Sequence, residues 1–192
     1  MSIRRSLLAA LAAVVAALTL LAARPRAEAR PAEAAGFSVY DLDATWRDQT
    51  GAARTLAELR GRPRVVAMIY THCAAACPLT VANMKRVDAA ARGKVGLVLV
   101  SLDPERDTAG RLAAYAAEHG LDAERWTLLR GPDDAVRDLA AALGVRYRRA
   151  TPAELAHTNT LTVLDARGVV VHQTAALGDV ASTLDAVRRL VH

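Results

Sequence analysis

The sequence predicts an α/β fold in which helices flank a mixed central sheet. Short apolar runs rich in β-branched residues alternate with segments whose apolar residues recur every three or four positions. This alternation is typical of parallel strands joined by helices. Near the C-terminus, two further apolar runs flank Ala166-Arg167-Gly168. Such a turn predicts a hairpin, and therefore an antiparallel edge on the sheet.

The strands are predicted from these short apolar runs and the turn residues between them. Residues 37–43 and 45–47 are predicted to form a short N-terminal β extension. The core strands are predicted at 65–70, 95–101 and 126–129. The hairpin strands are predicted at 160–165 and 169–173. Residues 145–147 are expected to be briefly extended and residues 148–157 irregular.

The helices are predicted from capping residues and helical periodicity. A helical turn is expected at 56–59, and longer helices run from Pro78 to Gly93, from a cap at Asp107 or Thr108 to His119, from Gly131-Pro132 to Gly144, and over residues 180–191. The order of elements is the outline of a thioredoxin-like domain. In that outline, the chemistry lies at the C-terminal ends of the core strands.

The N-terminal segment predicts export. Arg4-Arg5 precede an uncharged run of 17 residues, 7–23, which is either a secretory signal peptide or a membrane anchor. A helix of that length spans about 25 Å, less than the roughly 30 Å hydrocarbon core of a bilayer. Both alternatives stay open. We expect residues 1–23 to be the signal or anchor, 24–36 a flexible tether, and 37–192 the domain, working in the periplasm or on the outer face of the cytoplasmic membrane.

The charge distribution excludes a nucleic-acid binder. The formal net charge is +5, but five arginines lie in the first thirty residues against one glutamate. The remainder carries 20 basic and 19 acidic residues, so the domain is close to neutral. No basic stripe with interleaved aromatic residues is present, as nucleic-acid recognition would require.

The only two cysteines, Cys73 and Cys77, follow the first core strand and precede Pro78. We expect Pro78 to be the first residue of a helix, where its missing N–H costs nothing. The positive end of a helix dipole lowers thiol pKa and favours thiolate. Two thiolates there could close a disulfide or hold a soft metal ion. A purely structural disulfide is disfavoured, because closing a five-residue loop contributes only about 2 kcal/mol.

A metal site would need a third ligand, and two thiolates with one imidazole suit copper in either oxidation state. His157 precedes a predicted core strand, in a loop that faces the cysteines in a thioredoxin-like outline. His72 adjoins Cys73 but is poorly placed to bend back onto the same ion. His119, His172 and His192 lie at a helix end, on a hairpin strand and at the C-terminus.

A second hypothesis uses Cys73 and Cys77 without metal, as a thiol-disulfide oxidoreductase or redox sensor. Such proteins usually have a two-residue spacer and a proline on the loop facing the dithiol; here the spacer has three residues. A thiol peroxidase is disfavoured, because the threonine usual three residues before the attacking cysteine is replaced by Tyr70 before Cys73 and by Ala74 before Cys77.

Four segments resemble the Sco/SenC family of copper-binding thioredoxin-like proteins, and the resemblance extends from about Asp48 onward. Residues 70–80 resemble its Cys-x-x-x-Cys-Pro motif, and residues 101–108 its Ser-x-Asp-Pro-x-x-Asp-Thr segment. Residues 126–131 are similar to the block that follows, and His157-Thr158 resembles the family's histidine before a strand.

The resemblance implies that Cys73, Cys77 and His157 bind one copper ion, as Cu(I) or Cu(II). It implies a copper chaperone, more a carrier than an enzyme, that delivers copper to the dinuclear copper site of a haem-copper oxidase during cytochrome c oxidase assembly. Partners would be the oxidase subunit and a copper donor or thiol reductant, with an N-terminal membrane anchor. Ala74 and Ala156 depart from the proline and aspartate common at those positions in the family.

Overall fold

The structure is a computed structural model that describes residues 36–73, 76–151, 154–178 and 180–191. The predicted leader and tether lie outside these residues, apart from Gly36. In the described part of the chain, no helix is both long and apolar enough to cross a membrane.

Nine strands and four α-helices are described. The strands are β1 (Trp46–Asp48), β2 (Ala53–Arg54), β3 (Arg64–Ile69), β4 (Gly96–Ser101), β5 (Trp126–Arg130), β6 (Tyr147–Arg149), β7 (Leu155–His157), β8 (Thr160–Leu164) and β9 (Val170–Ala175). The helices are α1 (Ala76–Ala91), α2 (Ala109–Glu118), α3 (Asp133–Ala142) and α4 (Ala181–Val191). Val39–Asp41 and Leu56–Leu59 form short 3-10 helices.

The main sheet has seven strands in the order β2-β1-β5-β4-β3-β8-β9. Strands β3, β4 and β5 run parallel, and every residue of β3 and β4 is buried. Strands β8 and β9 pair antiparallel at one edge, and β1 and β2 at the other. The predicted mixed sheet, its flanking helices and its hairpin are therefore confirmed.

The predicted strand at 37–43 is wrong, because Val39–Asp41 form a 3-10 helix there. The Ser38 hydroxyl accepts a hydrogen bond from the Tyr40 N–H and so caps that turn. The Val39 N–H donates to the Gly168 carbonyl in the β8–β9 turn, so this segment is held by the hairpin instead of extending the sheet. The β extension consists of β1 and β2 alone.

The segment predicted to be irregular contains a second, two-stranded sheet. Strands β6 and β7 pair antiparallel, with Tyr147 opposite His157 and Arg149 opposite Leu155. Leu155 is buried and anchors this hairpin, although the alternation of its neighbours is too short to predict a strand. Residues 145–147 are accordingly not a separate extended piece, since β6 begins at Tyr147.

Helix α1 begins at Ala76, so the prediction that Pro78 is the first helical residue is wrong by two positions. Proline is tolerated there because the N–H groups of the first turn have no intrahelical partner. The predicted cap of α2 is confirmed at Thr108, whose hydroxyl accepts a hydrogen bond from the Arg111 N–H at 3.2 Å.

Candidate metal centre

The two cysteines lie where the central strand β3 passes into helix α1. Cys73 follows a turn after β3, and Cys77 is in the first turn of α1. The Cys77 N–H donates to the Cys73 Sγ at 3.4 Å, which brings the two residues together in space. Both are thiols and no disulfide joins them; Cys77 is buried and Cys73 half-buried.

The expected low thiol pKa is not found at Cys77. Burial raises the pKa of the Cys77 thiol far above its usual value, and the neighbouring Cys73 raises it further. A backbone hydrogen bond from Tyr70 lowers it by less. Desolvation of the thiolate therefore outweighs the helix dipole here, and Cys77 is a protonated thiol at neutral pH until a partner replaces the proton.

His157 ends β7 and projects from the small second sheet. Its Nδ1 lies 3.2 Å from the Thr158 carbonyl oxygen, a separation that suits an N–H donated from that nitrogen. Burial lowers the pKa of His157 below its usual value, more than the Thr158 carbonyl raises it. The imidazole is therefore neutral at pH 7, which is the protonation state that binds metals.

Tyr70 is the residue that the candidate ligands share. Its ring lies edge-on to the His157 ring, with centroids 5.8 Å apart and planes at 75°. Its hydroxyl interacts with the Cys73 side chain. Burial, followed by the proximity of Cys73, raises the pKa of Tyr70. The structure thus places His157 and Cys73 against opposite parts of one tyrosine side chain.

Within the described ranges, no three side chains of the His, Cys, Asp or Glu type are close enough together to hold a metal ion. The structure brings Cys73 and Cys77 together and places His157 next to their common neighbour, Tyr70. The chemistry of the donors nevertheless fits copper, because two thiols and a neutral imidazole supply both soft sulfur and borderline nitrogen.

Asp107 contacts the start of the cysteine loop, a role that its sequence position as a candidate helix cap does not indicate. Its carboxylate is fully buried and accepts hydrogen bonds from the Thr71 hydroxyl and the Ser101 hydroxyl, both at 2.6 Å. It also accepts from the Thr71 N–H at 3.1 Å. Thr71 begins the turn that leads to Cys73, so Asp107 fixes the start of the cysteine loop. The cluster of polar residues at 101–108, directly after an apolar strand, is the sequence signal.

Asp103 connects the 101–108 segment to the second sheet, which is formed by β6 and β7. It is buried; the Arg106 Nε donates to its Oδ2, and Arg149 on β6 lies 3.6 Å from its Oδ1. The Asp107 N–H donates to the Asp103 carbonyl at 2.9 Å. The 101–108 segment therefore contacts both elements that carry candidate ligands, the cysteine loop and the hairpin of β6 and β7.

The remaining described histidines lie in other surroundings. His72 is exposed, with its Nδ1 3.7 Å from the Asp107 Oδ1. The His119 ring packs on Tyr115 with centroids 4.2 Å apart, and the His172 Nε2 lies 3.2 Å from the Ser182 hydroxyl. His192 is outside the described residues.

Fold and site together define a thioredoxin-like protein with a dithiol at the end of its central strand. The SCO1/SenC family model matches residues 38–192. The chain therefore belongs to the SCO1/SenC family, as its motifs indicated.

Individual relatives agree with this assignment. The chain is 28% identical to a "Putative copper-binding protein" of Stutzerimonas stutzeri, over 63% of this chain and 62% of the relative. It is 29% identical to the "SCO1 protein homolog" of Bacillus subtilis (strain 168), over 45% of this chain and 47% of the relative. The matched regions thus span less than two thirds of these curated relatives.

Solved structures share the fold. A SCO1/SenC family lipoprotein from Bacillus anthracis str. Ames superposes with a TM-score of 0.72 at 21% identity, covering 80% of this chain and 96% of that one. Arabidopsis thaliana ScoI, determined with copper bound, gives a TM-score of 0.69 at 21% identity, covering 77% and 95%. At this identity the likeness establishes the thioredoxin-like architecture.

Proposed function

We propose that this protein is an extracytoplasmic copper metallochaperone. It binds one copper ion through Cys73, Cys77 and His157 and delivers it to the dinuclear copper site of a haem-copper oxidase. The observation that carries the proposal is the placement of two adjacent thiols and a neutral imidazole around Tyr70. Copper-bound relatives from Arabidopsis thaliana and Bradyrhizobium japonicum support it, as does the membership of the structural relative BsSco in the Sco family of cytochrome c oxidase assembly proteins.

The thiols and the imidazole favour different oxidation states of the bound copper. Thiolate sulfur is soft and stabilises Cu(I), whereas imidazole nitrogen supports Cu(II), so the mixed set accepts either state. Because the Cys77 thiol is protonated when buried, copper must displace its proton. Loading therefore releases protons, and affinity falls as the pH is lowered.

Loading also requires a local rearrangement. The three donors are not within coordinating distance of one point as they stand. Tyr70 contacts both His157 and Cys73, so its side chain must shift as the donors converge. Asp107 binds the start of the cysteine loop through Thr71, and Asp103 lies beside Arg149 at the end of β6, so both elements are anchored to the 101–108 segment.

The cellular setting of the proposal comes from the predicted leader and the family. Residues 1–23 serve as a signal peptide or membrane anchor, and residues 24–36 tether the domain at the outer face of the membrane. The partners are the oxidase subunit that carries the dinuclear copper site and a copper donor or thiol reductant. The Bacillus anthracis relative, a lipoprotein, supports an extracytoplasmic location.

The test is a titration of the reduced full chain with Cu(II) under anaerobic conditions, followed by visible absorption. We expect a thiolate-to-copper charge-transfer band that saturates at one equivalent. His157→Ala should alter the band and weaken the affinity, and Cys73→Ala should abolish the band. His172→Ala is the matched control, since His172 lies on β9 beside Ser182 and should leave the titration unchanged. Oxidation of the thiols without a stable band would refute the Cu(II) site.

A second candidate function is thiol-disulfide exchange by Cys73 and Cys77. The contact between the Cys77 N–H and the Cys73 sulfur favours it, because the two residues are already adjacent. A disulfide switch has been identified in the structural relative BsSco. If this is the main function, His157→Ala leaves the rate of dithiol exchange unchanged, whereas a chaperone loses Cu(II) affinity with the same substitution.

A further inference from the structure

Arg64, the first residue of β3, is a buried cation. Only 8% of the residue is exposed. Its Nε donates to the Leu59 carbonyl at 3.0 Å, and the Tyr40 hydroxyl lies close to the guanidinium. In the described part of the chain, no carboxylate forms an ion pair with it. Arginine stays protonated under all ordinary conditions, so this largely buried charge favours an anion or water beside it.

The sheet makes room for this guanidinium with a glycine. Gly96 is the parallel neighbour of Arg64 on β4. A Cβ on Gly96 would lie 2.0 Å from the Arg64 Nη1 and 2.7 Å from its Cδ. The Arg64 side chain therefore lies flat over the bare backbone of β4, where any other residue would displace it.

Arg64 lines a pocket of about 280 Å³ at the N-terminal end of the parallel strands. Arg62 lines the same pocket and adds a second positive charge. Leu59, Trp126 and Leu129 supply apolar wall. The pocket is large enough for a small organic anion and offers both charge and apolar surface to it.

The two carboxylates of the pocket are engaged elsewhere. Asp48 accepts hydrogen bonds from the Thr50 hydroxyl at 2.5 Å and from Arg54 at 2.8 Å. Glu58 accepts from the Thr55 N–H at 3.0 Å and from Arg54 at 3.3 Å. Arg54 therefore offsets one of these two carboxylate charges, and together with Arg62 and Arg64 the five charged side chains that line the pocket leave one net positive charge.

We infer that this pocket is a binding site for a small oxyanion, a carboxylate or phosphate group, held by the guanidinium groups of Arg64 and Arg62. A guanidinium presents parallel N–H donors that match two oxygens of such a group, which gives both strength and orientation. The apolar wall accommodates a short organic body attached to that group.

This site is separate from the candidate metal centre. Strand β3 starts at Arg64 and ends at Ile69, and the cysteine loop follows that end. Six strand residues at about 3.3 Å each place the pocket roughly 17–20 Å from the start of that loop. The inference consequently does not depend on copper binding, and either proposal can fail alone.

The test is thermal unfolding of the full chain in a buffer without oxyanions, with added sodium phosphate, sodium acetate, or sodium chloride at equal ionic strength. A bound anion raises Tm with the logarithm of its concentration relative to Kd, by about 5–10 °C at a concentration one hundred times Kd. We expect phosphate or acetate to produce such a shift and chloride to produce none. The more effective of the two identifies the preferred geometry of the oxyanion.

Three variants locate the effect. Arg64→Met should abolish the oxyanion-dependent shift and, in oxyanion-free buffer, raise Tm, because it replaces a buried uncompensated charge with an apolar side chain. Arg64→Lys keeps the charge but not the planar fork, so binding should weaken about tenfold. Arg47→Met is the matched control: Arg47 donates to the Gly51 carbonyl outside the pocket, and its loss should leave the shift intact.

Equal shifts in chloride and phosphate, or a shift that survives in Arg64→Met, would overturn the inference. Isothermal titration of the wild-type chain with phosphate gives an independent answer if Arg64→Met fails to fold. Absence of saturable heat with both phosphate and acetate would show that water alone solvates Arg64.

Discussion

Removing the Asp107 carboxylate should destabilise the protein strongly, although Asp107 is not a proposed ligand. The side chain is fully buried and accepts three hydrogen bonds, two from Thr71 and one from Ser101. Asp107→Ala leaves these donors without their acceptor, and the Thr71 N–H cannot turn away as a hydroxyl can. Breaking a buried charged pair or network of this kind costs about 3–5 kcal/mol.

That cost is large against a total stability of about 5–15 kcal/mol for a domain of this kind. Asp107→Asn should cost less, about 1–2 kcal/mol, because an amide oxygen in the Oδ1 position still accepts from the Thr71 hydroxyl, while the amide nitrogen in the Oδ2 position can donate to the Ser101 hydroxyl. The ranking of the two variants therefore tests the hydrogen-bond account separately from the effect of side-chain size.

The assay is urea unfolding of the reduced full chain in a double-mutant cycle with Thr71→Val. Thr71→Val removes only the hydroxyl, which donates to Asp107 at 2.6 Å and accepts from the Arg111 Nε at 3.1 Å. We expect a coupling free energy between Thr71 and Asp107 of about 1–3 kcal/mol, since residues in one network are not additive. The slope of the unfolding free energy against urea should stay unchanged.

Additive effects within about 0.5 kcal/mol would refute the reasoning, because they would mean that Asp107 does not hold the cysteine loop through Thr71. Asp185→Ala is the control for removing a carboxylate. Asp185 forms an exposed ion pair with Arg188 at 2.9 Å, so its loss should change stability by no more than about 0.5 kcal/mol.

Three further predictions concern residues away from the metal centre. Burial alone would raise the pKa of Asp48, but hydrogen bonds from Thr50, Arg54 and Ala52 lower it below its usual value of 3.8. The ionised carboxylate therefore stabilises the folded state above that pH, and this stabilisation is lost as the pH falls through the folded-state pKa. Asp48→Asn should therefore lower Tm at pH 7, and the difference in Tm between the variant and the wild type should become smaller below pH 3.8. A difference in Tm that does not change with pH would contradict this. Gly168→Ala should lower the free energy of unfolding in urea by more than about 2 kcal/mol, because φ is +90° at Gly168 and the new Cβ would lie 2.3 Å from the Tyr40 ring. Gly51→Ala, at φ +86° in open space, should cost only about 1 kcal/mol; equal costs would refute the proposed clash.

Much of the candidate site could be predicted from the sequence, because its markers are local. The positions of Cys73 and Cys77 follow from an apolar strand, a polar turn and a proline within a few residues of each other. The direction of the Cys77 pKa could not be predicted, since it depends on how deeply the first turn of α1 is buried under other elements. The local sequence pattern indicated a helix dipole that lowers the pKa of the Cys77 thiol. In the folded protein, burial of the thiol raises that pKa by more than the dipole lowers it.

The second sheet, formed by β6 and β7, also depends on contacts that the local sequence does not predict. The sequence predicts a brief extended piece at 145–147 but no partner for it, and the pairing of Tyr147 with His157 exists only because the two halves of the β6–β7 hairpin fold onto each other. The sequence placed His157 near a strand and favoured it as the third ligand, which stays a prediction. Its packing against Tyr70 is visible only in three dimensions.

By itself, the sequence determined the alternation of strands and helices, the position of the α2 cap to within Asp107 or Thr108, the β8–β9 turn and the location of the two thiols. Each of these depends on residues adjacent in the chain, so periodicity and turn chemistry suffice. Only the tertiary structure decided that Asp107 reaches back 36 positions to Thr71, that Cys77 keeps its proton, and that Arg64 has no carboxylate partner in the described chain. Those properties depend on burial and on partners distant in sequence, because the electrostatic cost of a charge is set by everything that surrounds it.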